Sequence, residues 1–135
     1  MFCLDTNIII FALNRRRPEI VVRLTAELKA RTRLIVPVAA LFELEYGIAK
    51  SDRAQQSRAA LDALLACGFE QPAFDSVDAR EAADIRAYLE GEALPIGPFD
   101  YLIAAQARRR GATLVTLNRR EFERVPGLVV TDWAA

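Results

Sequence analysis

Short apolar runs alternating with stretches of helical spacing constrain this chain more than anything else in it. The runs "MFCL", "RLIVPV", "ATLVTLN" and "LVVTDW" read as short strands, and "FEQPAF" as a further extended piece. A strand buried on both faces is apolar throughout, whereas a half-exposed one alternates. Strands of the first kind, separated by helices, predict an α/β fold in three layers. Its central sheet is mostly parallel, has about five short strands and carries helices on both faces. The 135 residues read as a single domain over 1–135, long enough to bury a real core.

The segments between the runs fit this plan. "TNIIIFALN" reads as a buried helix ending near Asn14. The next helix has Pro18 at its first position and apolar residues at Ile20, Val21, Leu24 and Leu28. "VAALFELEYGIAK" is helical, with Gly47 near its end. A fourth helix has Asp52 as its expected cap, Leu61 and Leu64 on its apolar side, and Gly68 as its stop. Asp75 is the expected cap of a fifth, with Val77, Ala82, Ile85 and Leu89 on one side. "ALPIGPF" is a loop, "DYLIAAQARRRG" a helix, and "RREFERVPG" a turn or short helix.

Several functions are excluded at once. The chain contains no histidine, so neither a Ser–His–Asp triad nor a histidine zinc site is possible. Its 18 basic and 18 acidic residues balance, which leaves no global pull toward nucleic acid; any such binding needs a local basic patch. No apolar run is long enough to cross a bilayer and no signal peptide opens the chain, so the expected compartment is the cytoplasm. Cys3 and Cys67 then read as two buried free thiols.

Four acids sit where acids are costly to place. Asp5 ends the first strand and opens a buried helix, so it reads as a helix cap or as a functional carboxylate. Asp100 begins its helix. At about 100° per residue, Ile103, Ala104 and Ala107 lie within roughly 60° of it, which turns it inward. Glu43 shares a face with Ala39 and Gly47, small residues that leave room for a ligand. Glu45 falls on the larger apolar face near Leu41 and Ile48, and one of the two glutamates is expected to pair with an arginine or reach solvent. Asp5 and Asn118 both lie at the carboxyl ends of their strands, where sheets of this kind bind ligands.

Converging carboxylates raise one another's pKa, and a cation is what lets them stay ionised together. An all-oxygen set suits Mg2+ or Mn2+. Such metals activate water and neutralise phosphate charge in phosphodiester cleavage, a chemistry that needs no histidine.

The segments "LDTN", "FELEYGI", "IGPFDYLIAAQA" and "LVTLNRREFERVPGLVVTDW", in this order, resemble the PIN-domain ribonucleases, in particular the VapC-type toxins of toxin–antitoxin pairs. The likeness spans nearly the whole chain. It implies a PIN-like fold and a magnesium- or manganese-dependent endoribonuclease that cleaves RNA (tRNA, rRNA or mRNA) by metal-activated water. It also implies a small cognate antitoxin whose tail occupies the active-site groove, and usually a homodimer. Its acids fall on Asp5, Glu43 and Asp100, with Glu43 selected over Glu45 by the pattern "ELEYG". Many PIN domains place an aspartate shortly after the threonine that closes the next site strand. Asn118 stands there in this chain, and Glu121 is the alternative source of charge. Thr6 and Thr116 match hydroxyl residues that orient a carboxylate or a water.

Candidate RNA-facing cations are Arg15, Arg119 and Arg120. Arg108, Arg109 and Arg110 read instead as a solvated helix end favoured by the dipole. Two other functions use a similar acid cluster. One is a metal-dependent phosphatase with Asp5 as nucleophile, for which no basic residue stands at a signature spacing. The other is a catalytically degenerate PIN-like domain that only binds RNA or protein.

Overall fold

The computed structural model describes residues 1–133, so the last two residues of the expected domain lie outside the described part. The elements are β1 (Phe2–Leu4), α1 (Thr6–Asn14), α2 (Pro18–Lys29), β2 (Leu34–Ile35), α3 (Val38–Ala49), α4 (Ala54–Leu65), α5 (Ser76–Gly91), α6 (Pro98–Arg109), β3 (Thr113–Val115), α7 (Arg119–Phe122) and β4 (Val130–Thr131). The four strands are all parallel, in the order β2-β1-β3-β4. From β1 the chain builds β2 on one side and later β3 on the other. The point where strand order reverses, the usual ligand crevice of such sheets, therefore lies between the ends of β1 and β3.

"FEQPAF" adds only one parallel bridge, between Ile35 and Glu70. Glu70 N–H donates to Leu34 O and Val36 N–H to Glu70 O, but the next rung would need an N–H from Pro72, which has none.

Alternation along the strands sends side chains into two cores. Cys3, Ile35 and Leu114 join Ile85, Leu89, Ile103 and Phe122 on the α5–α6 side. Leu4, Leu34, Val36 and Val115 join Ile8, Ile20, Leu44 and Leu61 on the α1–α4 side. Each fully buried side chain of this size contributes roughly 1.5–3 kcal/mol. Among the described residues no helix is long and apolar enough to cross a membrane.

Pro18 stands at the first position of α2, and Asp75 caps α5 through a reciprocal capping box with Asp78. The inward stripe of α5 begins one residue later than its spacing suggests: Val77 is 47% exposed, and Asp78 is wholly buried. Asp78 is charged because Arg110 and Arg109 reach it, at 2.9 and 3.1 Å. Burial alone would raise its pKa, but hydrogen bonds from Arg110, the Asp75 cap and Arg109 outweigh that and hold it at about 2. Arg108 pairs with Glu81 at 2.6 Å. The run 108–110 is thus not a solvated helix end; it clamps α6 to α5.

Two further expectations are corrected. Asp52 does not cap α4: Arg53 takes that position without a side-chain cap, and its N–H is accepted by Ser51 Oγ at 3.0 Å. Cys67 is exposed beyond the end of α4, whereas Cys3 is fully buried, and burial pushes its thiol pKa up.

Candidate active site

β1 and β3 end side by side, with Leu4 opposite Val115. The next residue of each chain segment, Asp5 and Thr116, leaves the sheet at the same level. Asp5 N–H still donates to Val115 O at 3.0 Å, and Thr116 N–H to Thr131 O at 2.9 Å. Thr116 Oγ1 donates to Asp5 Oδ2 at 2.7 Å, and the Thr6 N–H donates to Asp5 Oδ1 at 2.8 Å. Asp5 therefore caps α1 and holds a fixed orientation while only 8% exposed. Burial raises its pKa. The bonds from Thr116 and Thr6 oppose that rise, and the charge of Glu43 adds to it.

Glu43 arrives from α3. Thr6, having given its N–H to Asp5, gives its hydroxyl to Glu43 Oε1 at 2.8 Å. The neighbouring Gly47 leaves open space, since a Cβ there would touch nothing within 4 Å. Glu45 points the other way and takes a two-pronged bond from Arg58 of α4. The structure thus separates the two glutamates.

Asp100 is the third residue of α6, after the Gly97 cap and Pro98. Its carboxylate folds back over the cap: a Cβ on Gly97 would lie 2.9 Å from Asp100 Oδ2. Asp100 is pushed up to about 6, first by burial, then by the charges of Asp5, Glu121 and Glu43, against an opposing bond from Gly97. The four acids therefore share one electrostatic environment at the switch point.

The fourth position is built around Thr116. Its hydroxyl accepts the Asn118 N–H at 2.9 Å while donating to Asp5. Asn118 Nδ2 donates to Glu121 Oε2 at 2.8 Å, so amide and carboxylate form a pair rather than competing.

The arginine candidates are not gathered here. Arg119 is committed to Glu123 at 3.0 Å and Asp132 at 3.6 Å. Arg15 ends α1 in a left-handed conformation, and both it and Arg120 are exposed. What the sequence reading missed is the aromatic rim: Phe42, Tyr46 and Phe99 are exposed around the mouth of the site. The signal was present, because Phe42 and Tyr46 flank Glu43 at a four-residue spacing and Phe99 directly precedes Asp100.

A parallel α/β sheet of this order has known counterparts. The PIN domain family matches residues 2–128, and the chain belongs to that family. Within it, the similarity is to VapC proteins. The tRNA(fMet)-specific endonuclease VapC of Shigella flexneri is 35% identical over 133 residues, 98% of each chain. Ribonuclease VapC2 of Rickettsia felis is likewise 35% identical over 133 residues, 98% of each chain. The solved structure of DNA-bound VapBC from Salmonella typhimurium superposes with a TM-score of 0.88 at 35% identity, covering 98% of this chain and 97% of that one.

Proposed function

We propose that this protein is a divalent-metal-dependent endoribonuclease, the toxin of a toxin–antitoxin pair. The observation that carries the reading is the position of Asp5, Glu43 and Asp100. They come from three separate segments, Asp5 at the end of β1, Glu43 on α3 and Asp100 at the start of α6; Thr6 bonds both Asp5 and Glu43, and burial first, then the charges of Asp5, Glu121 and Glu43, lift Asp100 to about 6.

The donor set fits Mg2+ or Mn2+, since every candidate ligand is oxygen. Among the described residues no three carboxylates or thiols form a ready-made cage. Magnesium does not require one, because it is held by one or two carboxylates together with water and substrate phosphate. In this reading Asp5, Glu43 and Asp100 would hold the metal between them, either directly or through its bound waters. When bound, it supplies an activated water and neutralises phosphate charge. Thr116 fixes the Asp5 carboxylate, Thr6 fixes Asp5 and Glu43 together, and Asn118 with Glu121 completes the fourth position.

The alternative nucleophilic role for Asp5 is disfavoured by the relatives, which are named endonuclease and ribonuclease and not phosphatase. The names of relatives point to RNA, and to tRNA in the Shigella protein. The VapBC assembly of the Salmonella neighbour points to a small antitoxin partner. We extend the same reading to a homodimer, to one PIN unit over 1–135, and to the cytoplasm as the place where such RNAs are met. The test is cleavage of total RNA by protein freed of its partner, with and without Mg2+. Metal-dependent fragments from the wild type and none from Asp100→Asn are expected. An active Asp100→Asn protein, or no metal-dependent fragment at all, overturns the reading.

A further inference from the structure

Thr6 and Glu43 line an open cleft of about 680 Å³, within the size range of small-molecule sites. The lining also includes Phe42 and Tyr46 of α3, Lys50 just past the end of α3, and Phe99 of α6. Spacing explains the grouping: residues 42, 46 and 50 stand four apart and line up on one side of α3, with Glu43 about 100° around from Phe42. The aromatic wall and the carboxylate are thus set side by side by one helix.

These rings are not core residues. Phe42 is 56% exposed, Tyr46 59% and Phe99 43%. Phe42 and Phe99 lie with centroids 5.3 Å apart and planes tilted by 40°. The Lys50 ammonium sits 4.7 Å from the centre of the Tyr46 ring and is the one cation among the lining residues. The lining therefore combines one carboxylate, three exposed π-faces and one ammonium. An all-apolar occupant would strip water from the Glu43 carboxylate and the Lys50 ammonium and offer neither a polar partner in its place, at a cost in desolvation. A nucleotide matches each part: its base has two π-faces, and its phosphate is anionic.

We propose, resting on the ribonuclease reading, that Phe42, Tyr46 and Phe99 stack unpaired RNA bases beside the phosphodiester to be cut, while Lys50 meets a neighbouring phosphate. They are positioning residues. A base held inside a duplex has both faces covered, so the cleft selects unpaired nucleotides.

The test uses the Asp100→Asn protein, so that RNA is bound without being cut. Its affinity is measured for a fluorescein-labelled random 12-mer, for the same strand lacking its bases, and for a blunt duplex. The single strand with bases is expected to bind tightest. Adding Phe42→Ala with Phe99→Ala should weaken that strand about tenfold or more and leave the baseless strand unchanged. Phe42→Trp should retain binding, and Phe42→Leu, which keeps apolar area without a π-face, should not. Melting curves check that the variants fold. Equal affinity for strands with and without bases overturns the proposal, as does unchanged binding by the double variant. So does a double variant that changes only from dimer to monomer, which would make this face a contact between copies. The parent reading is judged separately, by Mg2+-dependent cleavage of total RNA by the wild-type chain.

Discussion

Thr116 and Asp5 lie 111 positions apart in the chain, yet the Thr116 hydroxyl donates to Asp5 at 2.7 Å. The contact follows from parallel pairing, because each residue directly follows a registered pair, Leu4 with Val115. Thr116→Val removes the donor and keeps the shape. Outer-shell losses of this kind typically cost 10–100-fold in metal affinity or activity. That loss is expected here in a magnesium titration of RNA cleavage, with Thr116→Ser recovering most of it. Equal magnesium dependence in Thr116→Val and wild type would show that the bond is idle.

Asp100 gives a pH signature. Its pKa in the folded protein is about 6 against an ordinary 3.8. Stability from the neutral carboxyl is present below 3.8 and is lost as pH rises through about 6. At pH 7.5 the metal-free Asp100→Asn protein should therefore melt above the wild type, by about 2–6 °C. Magnesium should raise the wild type and leave the variant unmoved, which scanning calorimetry can follow.

In the proposed metal site the same group would control metal uptake. Binding must displace its proton, so apparent magnesium affinity should fall toward tenfold per pH unit below about 6. Calorimetric titration in buffers of different ionisation enthalpy reads this directly. Affinity that stays flat from pH 7 to 5 would remove Asp100 from the metal site.

Glu43 and Glu45 should part company in function. Glu45 is an exposed partner of Arg58, a type of pair contributing on the order of 0–1 kcal/mol, so Glu45→Gln should leave cleavage within twofold. Glu43→Gln should reduce cleavage by about 100-fold or more, since it removes a charge proposed to hold the metal. Initial rates on one RNA substrate compare them.

Asp78 is a structural acid with no access to the cleft. Asp78→Asn leaves Arg109 and Arg110 without their shared carboxylate, a loss expected to cost about 2–4 kcal/mol in urea unfolding at pH 7. Its pKa of about 2 lies below the ordinary 3.8, so the wild type keeps this stabilisation above 3.8 and loses it as pH falls toward 2. The gap between variant and wild type should close over that range, and the folded variant should still cleave RNA.

The sheet and the ends of its strands were legible because a buried parallel strand is written as an unbroken apolar run. Asp5 and Asp100 were visible for a related reason: each sits next to residues that must be inside. Helix wheels also reached Glu43, but only through its small neighbours, and the partner that takes Glu45 outward belongs to another helix. Asp78 was invisible for the same reason. Val77 looks like the better core residue until Arg109 and Arg110, some thirty positions away, make a buried charge affordable. Arg119 looked available for RNA until Glu123 and Asp132 were placed beside it. A sequence displays which face is buried; it does not display what stands opposite.

The pairing of Asn118 with Glu121 also bears on the charge of the site. An aspartate at 118 would set a second carboxylate beside the Glu121 oxygen now bonded to the amide. The two would repel unless a cation stood between them. The amide therefore lets Glu121 keep its charge when no metal is near, and it leaves the pair one negative charge short of what two acids would offer a cation.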